Sequence, residues 1–256
     1  MLTEWLDRTR LLVGQDGLDK LSGSHVLVAG LGGVGAYAAE MIARAGVGQL
    51  TLVDADVVHP SNLNRQLLAL GSTLGQPKAA LMAARLRDIC PGIRLNVREE
   101  YIRDERTEQL MSQKFDYVVD AIDTLAPKVF LLFNGMKHGQ RMVSSMGAGG
   151  KMDPAQIHVA DLFQTRHCRL AHFLRKRLRK LGVGPGIQAV YSTEFPMEDS
   201  VTLCEDEPNK KSVVGTISYM PALFGCYCAS VVIRDLLELS PAVRAGSMMN
   251  HDAVNE

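Results

Sequence analysis

Residues 26 to 66 decide the fold: Val26-Leu27-Val28-Ala29-Gly30-Leu31-Gly32-Gly33-Val34-Gly35, then Leu50-Thr51-Leu52-Val53-Asp54-Ala55-Asp56, then Asn62-Leu63-Asn64-Arg65-Gln66. The first segment reads as a buried strand running into a glycine turn that opens a helix. Gly30, Gly32 and Gly35 fit the Gly-x-Gly-x-x-Gly spacing, with Gly33 between them. Such glycines permit a tight turn, close approach of backbone to phosphate, and close helix–strand packing. A helix over 33–45 then aims unpaired N–H groups and its positive end at an anion. Asp54, 24 residues beyond Gly30 and at the end of the next strand, is placed to accept bonds from ribose hydroxyls. That arrangement serves NAD as well as ATP, and glycines used only for packing would look the same.

The residues after the second strand separate these readings. Arg65 comes with Asn62, Asn64 and Gln66, and Lys78 follows in Gly75-Gln76-Pro77-Lys78. Arginine offers a planar fork and lysine a mobile point charge, and a triphosphate whose β,γ-portion departs as pyrophosphate uses both. A nicotinamide site has little use for such cations except to hold a 2′-phosphate. Asp123, closing the apolar run Tyr117-Val118-Val119-Asp120-Ala121-Ile122, is placed for Mg²⁺, which takes one or two carboxylates plus substrate oxygens. Plainer roles stay open: Arg65 as a solvated loop cation, Lys78 as a surface lysine at a helix start, Asp123 as a helix N-cap.

Taken together, Gly30-x-Gly32-Gly33-Val34-Gly35, Asp54-x-Asp56, Asn62-x-Asn64-Arg65-Gln66, Lys78 and Ala121-Ile122-Asp123 resemble the ThiF/MoeB/HesA superfamily. Its members adenylate carboxylates with ATP. The likeness covers about residues 8 to 160 and is specific, because five elements stand in the right order. Gly147-Ala148-Gly149-Gly150-Lys151-Met152-Asp153-Pro154 and Val190-Tyr191-Ser192-Thr193-Glu194 resemble one branch, the tRNA threonylcarbamoyladenosine dehydratases. The resemblance implies that ATP lies along the glycine turn, with Asp54, Asp56, Asn62, Asn64 and Gln66 on the nucleotide side. It further implies that Arg10, in Arg8-Thr9-Arg10, reaches the ATP of a neighbouring subunit, hence a homodimer with sites completed in trans. A monovalent cation near the 147–150 loop and a sulfurtransferase-system partner are compatible with it.

Absent features weigh on the branch. MoeB- and ThiF-type members usually carry two Cys-x-x-Cys pairs for structural zinc; Cys90, Cys168, Cys204, Cys226 and Cys228 make none. No zinc is therefore expected, and Cys226-x-Cys228, inside an apolar run, reads as core. Scattered cysteines without a secretory leader indicate a reducing cytoplasm. Related dehydratases can show a cysteine in the loop before the last apolar helix, but here that loop reads Asn209-Lys210-Lys211-Ser212-Val213-Val214-Gly215, with Cys204 somewhat upstream.

At 256 residues and 46% hydrophobic, the chain can bury one substantial core. Strands are expected at 25–30, 49–54, 93–98, 116–120, 141–145, 156–160 and 189–193. Helices are expected at 33–45, 76–89, 104–113, 125–138, 168–181 and 219–239. This alternation predicts an α/β class, Rossmann-like, with a mostly parallel sheet covered by helices on both faces and a C-terminal extension completing one domain. The expected division is 1–239 as a single ATP-binding domain, with 1–150 the nucleotide half and 151–239 the substrate and RNA half, then a flexible tail over 240–256. Residues 194–215 read as a long mobile loop of the kind that serves as a lid over substrate. Residues 217–233 carry no charge but contain Pro221 and Gly225, which suits a buried closing helix better than a membrane span.

Net charge is zero, so nothing global points to RNA. Locally, residues 166 to 180 hold Arg166, Arg169, Arg175, Lys176, Arg177, Arg179 and Lys180 and no acid. Leu170, Leu174, Leu178 and Leu181 share one helical face, leaving the cations outward. A solvated face usually mixes signs, so this one reads as an RNA-backbone surface. The leading expectation is an enzyme that adenylates the threonyl carboxylate of threonylcarbamoyladenosine in tRNA and cyclises it, releasing AMP and pyrophosphate. The alternatives are adenylation of a ubiquitin-like sulfur carrier, an NAD-dependent oxidoreductase, and a non-catalytic nucleotide sensor.

Overall fold

The computed structural model describes residues 4–103, 105–197, 200–203 and 212–239. Its main sheet contains β1 (His25–Ala29), β2 (Gln49–Val53), β3 (Arg94–Arg98), β4 (Tyr117–Asp120), β5 (Met142–Ser145), β6 (Ile157–Asp161) and β7 (Gln188–Ser192). Their spatial order is β3-β2-β1-β4-β5-β7-β6. All neighbours are parallel except β6, which runs antiparallel to β7 at the edge. The chain leaves β1 in one direction and later returns on its other side to lay down β4. The carboxyl ends of β1 and β4 therefore form the crevice where open α/β sheets take ligands.

Strand alternation sorts the core into two layers. Val26 and Val28 face a cluster with α1 (Asp7–Gly23), α2 (Gly35–Arg44), α3 (Lys78–Ile89) and α7 (Tyr219–Leu236). Leu27 and Ala29 face the other side, with α4 (Glu105–Met111), α5 (Leu125–Lys137) and α6 (Arg169–Lys180). Because both faces are covered, β1 reads as one apolar run rather than an alternating strand. The charge-free 217–233 stretch becomes α7, whose Met220, Phe224, Cys228 and Val232 are fully buried. No helix among the described residues is long and apolar enough to cross a membrane.

Two stretches differ from the sequence expectation. α1 was not foreseen. Leu11 and Leu12 stand on its solvent side at 86% and 85% exposure, and Gly14 breaks it at φ +74°, so no helical period marks it. The stretch 194–215 is not all loop: β8 (Val201–Leu203) pairs antiparallel with β9 (Ser212–Val214). The parts of that stretch at 198–199 and 204–211, with Cys204, lie outside the described residues, as does the 240–256 tail.

Candidate active site

The glycine turn is wedged between the ends of β1, β2 and β4. Gly30 adopts φ +88°, and a Cβ there would lie 2.8 Å from the Ala121 carbonyl oxygen. A Cβ on Gly35 would come within 1.7 Å of the Gly30 carbonyl oxygen. Only glycine lets the turn curl under the first turn of α2. The Gly30 N–H donates to Val53 O at 2.8 Å, and the Ala121 N–H donates to Ala29 O at 2.9 Å. The turn is thereby fixed to both neighbouring strands.

Asp54 clamps it from β2. Its Oδ2 accepts the Leu31 N–H at 2.5 Å and its Oδ1 accepts the Asp56 N–H at 2.8 Å. Burial pushes the Asp54 carboxyl above the usual carboxylate range, while Lys78 and the two backbone donors pull it back in part. Each oxygen keeps a second lone pair for a hydroxyl donor. Lys78 is the first residue of α3, as the plainer reading expected, yet it is 4% exposed. Its N–H donates to Asp56 O at 3.0 Å and its Nζ to Asp56 Oδ2 at 3.1 Å. The ion pair is lopsided, because the Asp56 side chain is 65% exposed. A surface role for Lys78 is thus set aside.

The segment after β2 lies against the turn. Arg65 backbone O and Cγ stand 3.5 and 3.6 Å from where a Gly33 Cβ would be. The Arg65 Nη1 donates to Ser61 O at 2.8 Å and to Asn64 Oδ1 at 2.9 Å. Asn62 is buried, and its Oδ1 accepts the His59 N–H at 3.1 Å. Asn64 Nδ2 donates to Thr216 O at 2.9 Å, tying the segment to the approach to α7. Gln66 Nε2 lies 3.8 Å from the Gly32 Cβ position, and its buried Oε1 has no hydrogen-bond partner among the described residues. Two asparagines thus already shape the loop that carries Arg65.

Beyond β4, Asp123 is exposed on the connection to α5, whose N-cap is Thr124 rather than Asp123. Just behind it lies a buried pair that the sequence reading missed. Lys128 Nζ meets Asp120 Oδ2 at 2.8 Å, both side chains at 0% exposure, and also donates to Ile122 O at 3.0 Å. Ser144 donates to Asp120 Oδ2 at 2.6 Å, and the Ile122 N–H donates to Asp120 Oδ1 at 3.1 Å. The signal was present: an acid ending an apolar strand and a lysine between Pro127 and Val129 on an apolar helix.

Glycine turn, two acids just past β2, a buried lysine at the start of α3 and an exposed acid after β4 thus gather at the carboxyl ends of the central strands. A family profile described as the ThiF family matches residues 6–256. The chain belongs to the ThiF family. It is 37% identical over 238 residues to the Bacillus subtilis (strain 168) tRNA threonylcarbamoyladenosine dehydratase, a match covering 90% of this chain and 94% of that protein. It is 36% identical to the Escherichia coli (strain K12) enzyme of the same description over 93% of this chain and 94% of that one. The crystal structure of the E. coli tRNA N6-threonylcarbamoyladenosine dehydratase in complex with ATP superposes with a TM-score of 0.85 at 35% identity, covering 94% and 96% of the two chains.

Outside the crevice, the ThiF-family chain holds the remaining expected residues in two places. Arg10 lies on α1, half exposed, with Nη2 2.9 Å from Asp7 Oδ1. On α6 the buried residues are Ala171, Leu174 and Leu178, while Leu181 is 43% exposed. Arg166, Arg169, Lys176, Arg177, Arg179 and Lys180 are exposed. Arg175 is the exception to the expected outward set. Its Nη1 donates to Thr165 O at 2.9 Å and to Thr165 Oγ1, so it staples α6 to the preceding turn. Burial lowers its pKa, with Arg179 adding in the same direction. The position faces inward because the helix must close against residue 165. Cys228 is fully buried and its thiol pushed up to about 12 by burial, while Cys226 is half-buried and also raised.

Proposed function

We propose that the protein is an ATP-dependent tRNA threonylcarbamoyladenosine dehydratase of the cytoplasm: it adenylates the threonyl carboxylate of the modified adenosine and closes it into a ring. The observation that carries the reading is Lys78, buried beside Asp54 and Asp56, in a chain 36–37% identical over at least 90% of its length to two dehydratases. ATP lies along the 30–35 turn, where the N-terminus of α2 favours phosphate charge. Asp54 accepts from the ribose, with Asp56, Asn62, Asn64 and Gln66 shaping that side.

The threonyl carboxylate attacks the α-phosphorus, the bond to the bridging oxygen breaks, and pyrophosphate leaves. Arg65 and Lys78 stabilise the charge that develops on it. A nucleophile within the same side chain then displaces AMP from the acyl-adenylate. Such tethered attack reaches effective concentrations of about 10⁵ M or more, so no protein nucleophile is needed. Asp123 fits Mg²⁺: it is an exposed carboxylate at the edge of the crevice, the hard-oxygen donor that ion takes alongside phosphate. When bound, Mg²⁺ supplies charge neutralisation to the phosphates. The protein's share is to keep Asp123 at the mouth, through Lys128 and Asp120 behind it.

The exposed cations of α6 receive the tRNA backbone. The near-fully exposed Leu11 and Leu12 beside Arg10 suit a homodimer in which Arg10 reaches the partner's ATP. A monovalent cation near the 147–150 loop and a sulfurtransferase-system partner extend the same reading, and no step runs through either. The whole of residues 1–239 acts as one unit with a nucleotide half and an acceptor half.

Pyrophosphate release assayed with tRNA carrying threonylcarbamoyladenosine, with a ubiquitin-like sulfur carrier, and with neither tests the reading. Release is expected with the modified tRNA alone. Release with the carrier instead would move the protein to the adenylyltransferases, such as the E. coli molybdopterin-synthase enzyme, which matches only 43% of this chain. Cells lacking the protein should also lack the cyclic adenosine by nucleoside mass spectrometry.

A further inference from the structure

Lys151 is 3% exposed, and its buried Nζ has no hydrogen-bond partner among the described residues. Burial lowers its pKa, while Cys168 and Glu194 act in the opposite sense. Neither of these two groups bonds to it. Glu194 accepts the Met152 N–H with both oxygens, at 3.1 and 2.9 Å, and the Asp153 N–H at 2.9 Å. Cys168 caps α6, its Sγ accepting the Ala171 N–H at 3.5 Å. The backbone around Lys151 is therefore fastened with care while its ammonium is left without an acceptor. A desolvated charge in that condition is costly unless a counter-charge arrives.

Contacts of its chain neighbours tie the segment that carries this lysine to the glycine turn. Tyr219 donates to Met152 O at 2.7 Å, and two residues on, the Pro221 Cβ stands 3.0 Å from the Gly33 Cβ position. The start of α7 thus touches both the residue after Lys151 and the glycine turn. A second chain of contacts joins Gly149 to Thr216, and Thr216 O to Asn64 beside Arg65. Three kinds of anion enter the proposed reaction. The phosphates of ATP have Arg65, Lys78 and the N-terminus of α2; the RNA backbone has the exposed cations of α6. The remaining anion is the acceptor's carboxylate.

We infer that Lys151 Nζ is the binding residue for the threonyl carboxylate of the acceptor nucleoside, presenting it to the α-phosphorus. The inference rests on the function proposed above and names a contact that reading leaves unassigned. The Met197 N–H donates to Gly150 O at 3.2 Å, next to this lysine in the chain.

The test compares the affinity of the full-length protein for tRNA carrying threonylcarbamoyladenosine with its affinity for the same tRNA unmodified, at one salt concentration. The wild type should prefer the modified tRNA. Lys151→Met should cut that preference by about tenfold or more, the scale of a hydrogen bond to a charged group, with affinity for ATP and for unmodified tRNA retained. Lys151→Arg should keep part of the preference. A purely structural lysine would instead lower the melting temperature on Lys151→Met, whereas a charge awaiting a ligand leaves it equal or higher. A Lys151→Met protein that still prefers modified tRNA as the wild type does overturns the inference and leaves the proposed function standing. A wild type with no preference overturns the proposed function, and the inference with it.

Discussion

Three lysines are buried among the described residues, and their surroundings divide the molecule in two. On the nucleotide side, Lys78 faces Asp56, and Lys128 faces Asp120 with a carbonyl and a serine completing the set. On the proposed acceptor side, Lys151 Nζ has no hydrogen-bond acceptor among the described residues. The proposed nucleotide half holds its charges in place before anything binds, as preorganised electrostatic catalysis requires. The proposed acceptor half leaves one ammonium without a hydrogen-bond partner among the described residues, with Cys168 and Glu194 acting on it only through space.

The sharpest way to break this contrast is to orphan a charge in the completed half. Lys128→Met leaves Asp120 buried and unpaired and should destabilise the fold by about 3–5 kcal/mol, read as a lower denaturation midpoint. The double change Asp120→Asn, Lys128→Met should recover part of that stability. Next, Lys78→Met should lower the rate of pyrophosphate formation by about 10²–10³-fold while leaving tRNA affinity unchanged in binding assays. An equal loss of tRNA affinity would show that the two halves are not separable.

Smaller effects sharpen the picture. Glu40 on α2 is buried, which raises its carboxyl, but Arg85 and Arg44 outweigh burial and hold it below its ordinary value of 4.5. A depressed carboxyl stabilises the fold above the ordinary value and loses that contribution as pH falls through the lowered one. Wild type should therefore exceed Glu40→Gln in stability by about 1 kcal/mol near neutrality, both arginines being half exposed. The gap should close in unfolding curves taken progressively below pH 4.5. Smallest of all, Arg177→Ala should weaken tRNA binding a few-fold for modified and unmodified tRNA alike, and reduce the slope of log affinity against log salt by about 1. Arg175→Ala, by contrast, should act through stability, because its guanidinium is spent on Thr165.

Much of the crevice at the ends of β1, β2 and β4 was legible because its signals are local. The 30–35 turn needs glycine for reasons of backbone geometry, and the apolar runs of β1, β2 and β4 announce strands buried on both faces. α1 escaped notice for the converse reason: Leu11 and Leu12 face solvent and Gly14 interrupts its period. Arg175 was counted with the outward cations because helical spacing cannot register that residue 165 stands across from it.

The amino-acid order by itself determined the glycine turn, the strand–helix alternation, the acids at strand ends and the concentration of positive charge in α6. Each follows from residues within one turn or one strand of each other. What only the tertiary structure decided is which charged groups are buried and whom they meet: Asp120 with Lys128, Arg175 with Thr165, Lys151 with no acceptor among the described residues. Those outcomes depend on contacts between distant segments and on removal from water, and neither is written in local spacing.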